Sequence, residues 1–234
     1  MKIELEIDNI KQKLFERLEP SGWGKVFKSY IFSSEFEDTL SKLYAMSISG
    51  QRFTPPLKDV FRAFEECPYD ELKLVIVGQD PYPHLDQADG IAFSCSKTGK
   101  LQPSLRYVFD EINRTVYGDN QLCTDVDLKR WSNQGVLLIN TAFTCQINKI
   151  GSHFHLWQPF TNYLFKYLNE NNKLIFALMG KKAEIWETKL SNQILLKCPH
   201  PASAAYKGGV WDSKDIFNNI NLELNKLNKT NINW

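Results

Sequence analysis

Four short apolar runs after residue 70 predict buried β-strands, at 74–77, 136–139, 174–178 and 194–196. Runs that are apolar throughout, rather than at every second position, indicate strands covered on both faces. Between these runs, apolar residues recur at helical spacing, as in Leu105, Val108, Phe109 and Ile112. This alternation of strand and helix predicts a twisted, four-stranded parallel sheet with helices on both faces.

The first third of the chain has a different pattern. Segments 5–18 and 34–46 carry apolar residues at helical spacing, and a further set follows the same rule: Leu57, Val60, Phe61 and Phe64. A last helix is predicted over 214–227, and the Asn/Lys-rich residues 225–234 are expected to fray. We therefore predict one α/β domain over 1–234, with a helical N-terminal third.

Composition limits the class of protein. A chain of 234 residues with 43% hydrophobic content can bury the core of one such domain. The first residues alternate charged and apolar side chains, and no apolar run reaches about 18 residues, so neither a signal peptide nor a membrane span is expected. Five widely spaced cysteines without a CxxC motif argue against a disulfide framework, a zinc ribbon or an iron–sulfur cluster. A cytoplasmic location is expected, or a nuclear one for a eukaryotic or viral source.

The net charge of +1 excludes the strongly basic footprint of a non-specific nucleic-acid binder. Any contact with nucleic acid must therefore be local. Small basic clusters occur at Lys97/Lys100, Lys181/Lys182 and Lys207, but each taken alone is most simply solvated surface charge.

Polar residues follow the predicted strands at the end where a parallel sheet binds ligands. Asp80 lies in segment 78–83 after the first strand, Asn140 follows the second, and His200 lies in segment 198–201 after the fourth. A carboxylate, a carboxamide and an imidazole are therefore expected to converge on one edge of the sheet.

Each of these residues also has an ordinary structural explanation. Asp80 before Pro81 suits a turn or a helix cap, Asn140 suits a cap, and His200 between two prolines suits a packed loop. Three such residues at one edge favour a site. Without a convincing nucleophilic Ser or Cys, they suggest hydrolysis by an activated water or a charge-stabilised leaving group.

Other sites are poorly supported. The sequence has no GxSxG elbow, no Walker phosphate loop and no GxGxxG after the first strand. His153 and His155 could lie on one face of a strand, but two ligands do not make a zinc site. No metal or cofactor is therefore expected.

Seven motifs together resemble family-1 uracil-DNA glycosylases over roughly residues 20 to 225. The segment GQDPY is highly specific, and the others follow in the order and approximate spacing of the family. The motifs are FTPPLKDVFRAF (53–64), VIVGQDPYP (75–83), GIAFS (90–94), PSL (103–105), GVLLINT (135–141), GSH (151–153) and CPHPAS (198–203). The resemblance implies a monofunctional, metal-independent hydrolase of DNA repair that releases uracil and leaves an abasic site.

The resemblance also implies roles for the pocket residues. Asp80 would orient the attacking water and offset positive charge on the sugar, and His200, as a neutral imidazole, would stabilise the anionic leaving base. Asn140 would read the uracil edge. Tyr82 would exclude the 5-methyl group of thymine, Phe93 would stack on the flipped base, and main-chain groups near Gln79 would complete the pocket.

The residues expected to hold DNA depart from the family pattern. Ser104 matches a phosphate-binding serine and Gly180 the start of another loop, but Lys181 replaces the usual serine, and Pro83 replaces a histidine common in the family. In the last loop Ala204 replaces the wedge leucine and Ala202 lacks a hydroxyl that Ser203 could supply. The hypothesis is that single-stranded DNA is preferred, with compensating contacts from Lys181, Tyr206 or Lys207.

Three alternatives remain open. The chain could be a glycosylase-fold accessory protein that binds DNA without catalysis, although the complete residue set argues against it. It could prefer a different base, or it could be a nucleotide-binding α/β domain, which the missing phosphate-loop glycines disfavour. The expected partners are uracil-containing DNA, single- or double-stranded, and a protein inhibitor at the DNA groove, with the protein itself a monomer.

Overall fold

A computed structural model of the chain describes residues 2–118, 124–207 and 209–234. The first third is mainly helical, as predicted, and includes a helix over Trp23–Ile31 that the apolar spacing did not single out. Its elements are α1 (Lys2–Leu18), α2 (Trp23–Ile31), α3 (Ser34–Ile48), a short strand β1 (Phe53–Thr54) and α4 (Arg62–Glu66).

The rest of the chain alternates strands and helices. The elements in chain order are β2 (Leu74–Gly78), α5 (Pro103–Thr115), α6 (Lys129–Ser132), β3 (Val136–Asn140), β4 (Cys145–Gln146), α7 (Phe154–Asn171), β5 (Ile175–Met179), α8 (Lys181–Glu184), β6 (Ile194–Cys198), α9 (Ala202–Lys207) and α10 (Ile216–Lys226). The four predicted strands are all present, each within two residues of the predicted bounds.

The central sheet is parallel and has the order β3-β2-β5-β6, flanked by helices, which confirms the predicted α/β class. Strand β6 lies at an edge, so its first three residues are half-buried rather than buried as predicted. The pairing aligns the carboxyl ends: Gly78 pairs with Asn140, and Met179 with Cys198. A separate antiparallel pair joins β1 to β4. Each of these strands has only two residues, which is too short for an alternating apolar pattern to predict it from the sequence.

The last helix begins at Ile216, two residues after the predicted start. Lys214 and Asp215 have φ values of 60° and 53°, in the left-handed region that a right-handed helix cannot include. The turn that precedes the helix therefore sets its first residue, which apolar spacing alone does not show.

The C-terminal residues are packed, in contrast to the fraying expected from their composition. Ile232 and Trp234 are buried, and the Trp234 ring contacts Phe217 and Trp131 with centroid distances of 4.9 and 5.4 Å. The Asn221 side chain bonds both main-chain polar groups of Ile232, at 2.8 and 3.1 Å. Two apolar side chains thus anchor a segment whose overall composition is polar.

Within the described ranges, no helix combines the length and apolarity needed to cross a bilayer. Four cysteines, Cys67, Cys95, Cys145 and Cys198, are free and buried. Cys123 lies outside the described residues.

Candidate active site

A cavity of about 490 Å³ opens at the carboxyl edge of the parallel sheet. Its wall brings together the segments after β2, β3 and β6, as the strand-end argument predicts. All six predicted pocket residues line it: Gln79, Asp80, Tyr82, Phe93, Asn140 and His200.

Asp80 lies two residues beyond β2 and is half-buried. Its Oδ1 accepts a hydrogen bond of 3.1 Å from the main-chain N–H of Gly151. Burial raises the pKa of the carboxyl group, while hydrogen bonds from Gln79 and Gly151 and the charge of Lys182 oppose that rise. The site therefore offers a half-buried carboxyl group that is held by hydrogen bonds from Gln79 and Gly151.

His200 follows β6 and is held in one orientation by its own loop. The main-chain N–H of Ala202 donates to His200 Nδ1 at 3.1 Å, so in the neutral ring the proton sits on Nε2. Burial lowers the pKa of the imidazole to about 4, which leaves the ring neutral at pH 7. The cavity thus contains a neutral N–H donor.

This burial predicts a pH-dependent stability. Between pH 6.5 and 4 the unfolded chain takes up a proton that folded His200 does not, so stability falls as pH falls. We expect a loss of ~2–3 kcal/mol between pH 7 and 4.5 that is absent in His200→Gln. Urea unfolding of both proteins at the two pH values measures the difference, and buried His153, present in both, cancels. If the free energy of unfolding changed equally with pH in the two proteins, the lowered pKa of His200 would be contradicted.

Asn140 ends β3 directly opposite Gly78. A β-carbon on Gly78 would lie 2.5 Å from Asn140 Oδ1, well inside van der Waals contact, and 3.6 Å from the Phe93 ring. Gly78 therefore leaves the space in which the carboxamide lies over the strand end. This is a close approach that only glycine permits.

Tyr82 and Phe93 form a connected wall. The Tyr82 hydroxyl donates to the Phe93 carbonyl oxygen at 2.9 Å, and burial raises the pKa of that hydroxyl. The Phe93 and His200 rings face each other with centroids 5.5 Å apart and planes inclined by 33°. Phe93 has a φ of 68°, a left-handed conformation that is uncommon for any residue other than glycine.

The six predicted pocket residues lie within a segment that matches a known family. The family model described as the Uracil DNA glycosylase superfamily matches residues 64–225. The chain belongs to this superfamily. The match spans β2 to α10 and therefore includes every strand end that lines the cavity.

Individual superfamily members resemble the chain over most of its length. The uracil-DNA glycosylase of Dichelobacter nodosus is 36% identical over 222 residues, covering 93% of this chain and 95% of that protein. The uracil-DNA glycosylase of Haemophilus influenzae is 32% identical over 216 residues, covering 91% of this chain and 98% of that protein. The crystal structure of mimivirus uracil-DNA glycosylase superimposes with a TM-score of 0.82 at 26% identity, covering 94% of this chain and 88% of that one.

The segments predicted to hold DNA differ in exposure. Ser104 lies in the first turn of α5 and lines the cavity. Gly180, with φ of 91°, leads into Lys181, which is exposed. Ser203 is half-buried.

Ala204, in contrast, is only 8% exposed and belongs to the hydrophobic core, and its carbonyl oxygen accepts from the Tyr107 hydroxyl at 3.4 Å. This burial disfavours the predicted DNA contact through its methyl group. The side chains of Tyr206 and Lys207 lie outside the described residues, so their contacts stay predictions.

The structure adds a loop to which the sequence assigned no role in the site. Residues 147–152 adjoin the segment after β2: Asn148 N–H donates to Pro83 O at 2.9 Å, and the Asn148 side chain pairs with His84 Nδ1 at 2.8 Å. Ile150 lines the cavity although it is 57% exposed. The GSH motif marks this loop in the sequence, but only the contact of Gly151 with Asp80 shows what it does.

The two histidines considered as metal ligands point to different environments. His153 is buried, with Nδ1 2.8 Å from the hydroxyl of Thr144, whereas His155 is exposed in α7. Over the parts of the chain that the structure describes, no cluster of three or more His, Cys, Asp or Glu side chains could hold a metal ion.

Proposed function

We propose that this protein hydrolyses the N-glycosidic bond of uracil in DNA, releasing uracil and leaving an abasic site. One observation carries the proposal. Asp80, Asn140 and His200, which are separated by 60 residues or more in the sequence, line a single cavity at the edge of the sheet. Membership of the uracil-DNA glycosylase superfamily supports the same substrate.

Asp80 acts on the sugar side of the bond. As the glycosidic bond breaks, positive charge develops on the deoxyribose, and a nearby carboxylate stabilises that charge. The Gly151 N–H holds Oδ1 and so fixes the direction of the carboxylate that orients the attacking water. A group fixed before the substrate arrives needs no reorganisation during the reaction.

His200 acts on the base side. The departing uracil carries negative charge, and a neutral Nε2–H aimed at its O2 stabilises that charge by a hydrogen bond. The Ala202 N–H at Nδ1 fixes this tautomer, and burial favours the neutral ring. The imidazole therefore serves as a hydrogen-bond donor rather than as a cationic acid.

The remaining pocket residues select the base. The Asn140 carboxamide accepts from uracil N3–H and donates to O4, whereas cytosine presents the opposite pattern at both positions. Tyr82 occupies the space that the 5-methyl group of thymine needs, and Phe93 stacks on the base. The Gln79 carbonyl oxygen accepts from Thr141 Oγ1 at 2.9 Å and from Ala142 N–H at 3.2 Å, which fixes the main chain beside the base.

We infer that the reaction needs no metal ion, because Asp80 and His200 already supply stabilisation at both ends of the breaking bond. We infer also that the protein is a monomer, since one chain contributes all six predicted pocket residues. A mimivirus UNG variant has been crystallised in complex with UGI, and a protein inhibitor is proposed to bind the DNA-facing groove here too. The cytoplasmic location stays a prediction.

Uracil-containing oligonucleotides treated with the protein in excess chelator, then with alkali, test the activity. We expect strand cleavage at uracil, and higher kcat/KM on single strands than on a matched duplex by roughly tenfold. Extruding a base from a duplex costs a few kcal/mol, and buried Ala204 supplies no wedge to hold the stack open.

A cytosine-containing strand is the control and should stay intact. Equal or better duplex efficiency would contradict the single-strand preference. Absence of cleavage on either strand form would favour a DNA-binding accessory protein. Cleavage only after a divalent metal is restored would contradict the inference of metal independence.

A further inference from the structure

Phe93 is held in an unfavourable backbone conformation. Its φ of 68° costs a bulky residue free energy, and such conformations persist only where the surroundings enforce them. The neighbouring Gly90 shows how closely this segment is packed. A β-carbon on Gly90 would lie 1.8 Å from the carbonyl oxygen of Asp59.

The buried side chain of Asp89 accepts hydrogen bonds from residues on both sides of Phe93. Asp89 is 1% exposed, and its Oδ1 accepts from the N–H of Ile91 at 3.2 Å. Its Oδ2 accepts from the Ser94 hydroxyl at 2.7 Å and from the N–H and hydroxyl of Ser96 at 2.8 and 2.6 Å. These bonds close residues 89–96 into a loop with Phe93 near its apex.

Arg62 fixes this loop to the rest of the fold. From α4, its Nη1 lies 2.9 Å from Asp89 Oδ2, and its Nη2 lies 2.8 Å from both carboxylate oxygens of Asp127. A buried carboxylate is stable only when it is paired and hydrogen-bonded. Arg62 therefore joins three separate segments of the chain behind the cavity wall.

We propose that Asp89 and Arg62 are positioning residues for the reaction and that they act through Phe93. This inference rests on the proposed function, which gives the Phe93 ring a base to contact. The cavity is lined by Gly90, Ile91, Phe93 and Ser94 of this loop, while Asp89 and Arg62 support it from behind. Asp89 and Arg62 hold the Phe93 ring in the orientation in which it stacks on the extruded base.

Binding of free uracil, measured by NMR titration, tests the proposal in Asp89→Asn, Phe93→Leu and the double variant. Each single substitution should weaken uracil binding about tenfold, or ~1.4 kcal/mol. The double variant should be no weaker than Phe93→Leu, because Asp89 acts through that ring. In excision assays KM should rise with kcat changed less, since stacking stabilises ground and transition states alike.

Glu111→Gln is the matched control. Glu111 is also a buried carboxylate, 3% exposed, and its side chain pairs with Arg114 and with the Ser213 hydroxyl rather than with the Phe93 loop. This variant should lower the melting temperature and leave uracil binding unchanged. In Asp89→Asn, Arg62 Nη2 keeps its contacts with both carboxylate oxygens of Asp127, which favours folding.

Two results would overturn the proposal: uracil binding unchanged in folded Asp89→Asn, or additive losses in the double variant. If Asp89→Asn does not fold, Ser96→Ala removes one bond to Asp89 and should still weaken uracil binding severalfold; no change would again overturn it. An inactive parent protein that binds uracil would contradict the proposed function alone. The uracil-binding measurements on the two single variants and the double variant would still decide whether Asp89 acts through Phe93.

Discussion

The Asp80→Asn variant is expected to lose about 10³-fold in kcat/KM for uracil excision. The substitution keeps the size of the side chain and the acceptor for the Gly151 N–H, but it removes the negative charge that faces the sugar. Single-turnover excision of uracil from a single-stranded oligonucleotide measures the loss. Because the charge matters as the bond breaks, the loss should appear in kcat more than in KM.

Asp86→Asn provides a matched control for this loss. Asp86 is an exposed carboxylate in the same segment, with φ of 60°, a conformation that Asn also tolerates. It should retain the parent activity. In the parent, activity should fall as pH drops through the Asp80 pKa, which burial raises above the usual aspartate value, and Asp80→Asn should lack this fall in activity. Near-parental activity in Asp80→Asn would exclude the proposed role.

The second large effect is expected for Asn140→Asp, which should lower uracil excision by about 10²- to 10³-fold and bring in some cytosine excision. A carboxylate still accepts from uracil N3–H, but it repels O4, a penalty of ~3–4 kcal/mol. With cytosine the same carboxylate accepts from the exocyclic amine and is repelled at N3. Each base then has one favourable and one unfavourable contact, so discrimination between them collapses.

Competition between uracil- and cytosine-containing strands in one reaction measures this ratio. Asn133→Asp makes the same chemical change at an exposed position before the same strand and should keep the parent preference. A variant that loses uracil excision but keeps full discrimination against cytosine would show that Asn140 does not read the base edge.

Sequence patterns identify the sheet and the base pocket well, for a physical reason. Strands buried in a parallel sheet must be apolar throughout, and the residues after them must meet at one edge. The sequence alone therefore places Asp80, Asn140 and His200 together. Tyr82 and Phe93 lie in loops, so apolar spacing does not place them in the pocket, and only the family motifs predict them there.

Contacts between distant segments are harder to predict. The hydrogen bond from Gly151 to Asp80 joins residues that are 71 positions apart in the sequence. The ion pair between Arg62 and Asp89 joins residues that are 27 positions apart, and the loops that bring each pair together have no regular backbone. No period in the sequence encodes such pairs. The packed Trp234 shows the same limit, since polar composition predicts fraying whereas two apolar anchors decide the outcome.

Gly180 joins the ends of β5 and β6 and lies close to His200. Gly180 N–H donates to the Cys198 carbonyl oxygen at 2.8 Å, and a β-carbon on Gly180 would lie 2.8 Å from that of His200. Gly180 also opens the segment with exposed Lys181, which is predicted to hold a DNA phosphate. Gly180 therefore leaves the space from which the His200 side chain starts, and any side chain at position 180 would displace the imidazole from the cavity wall.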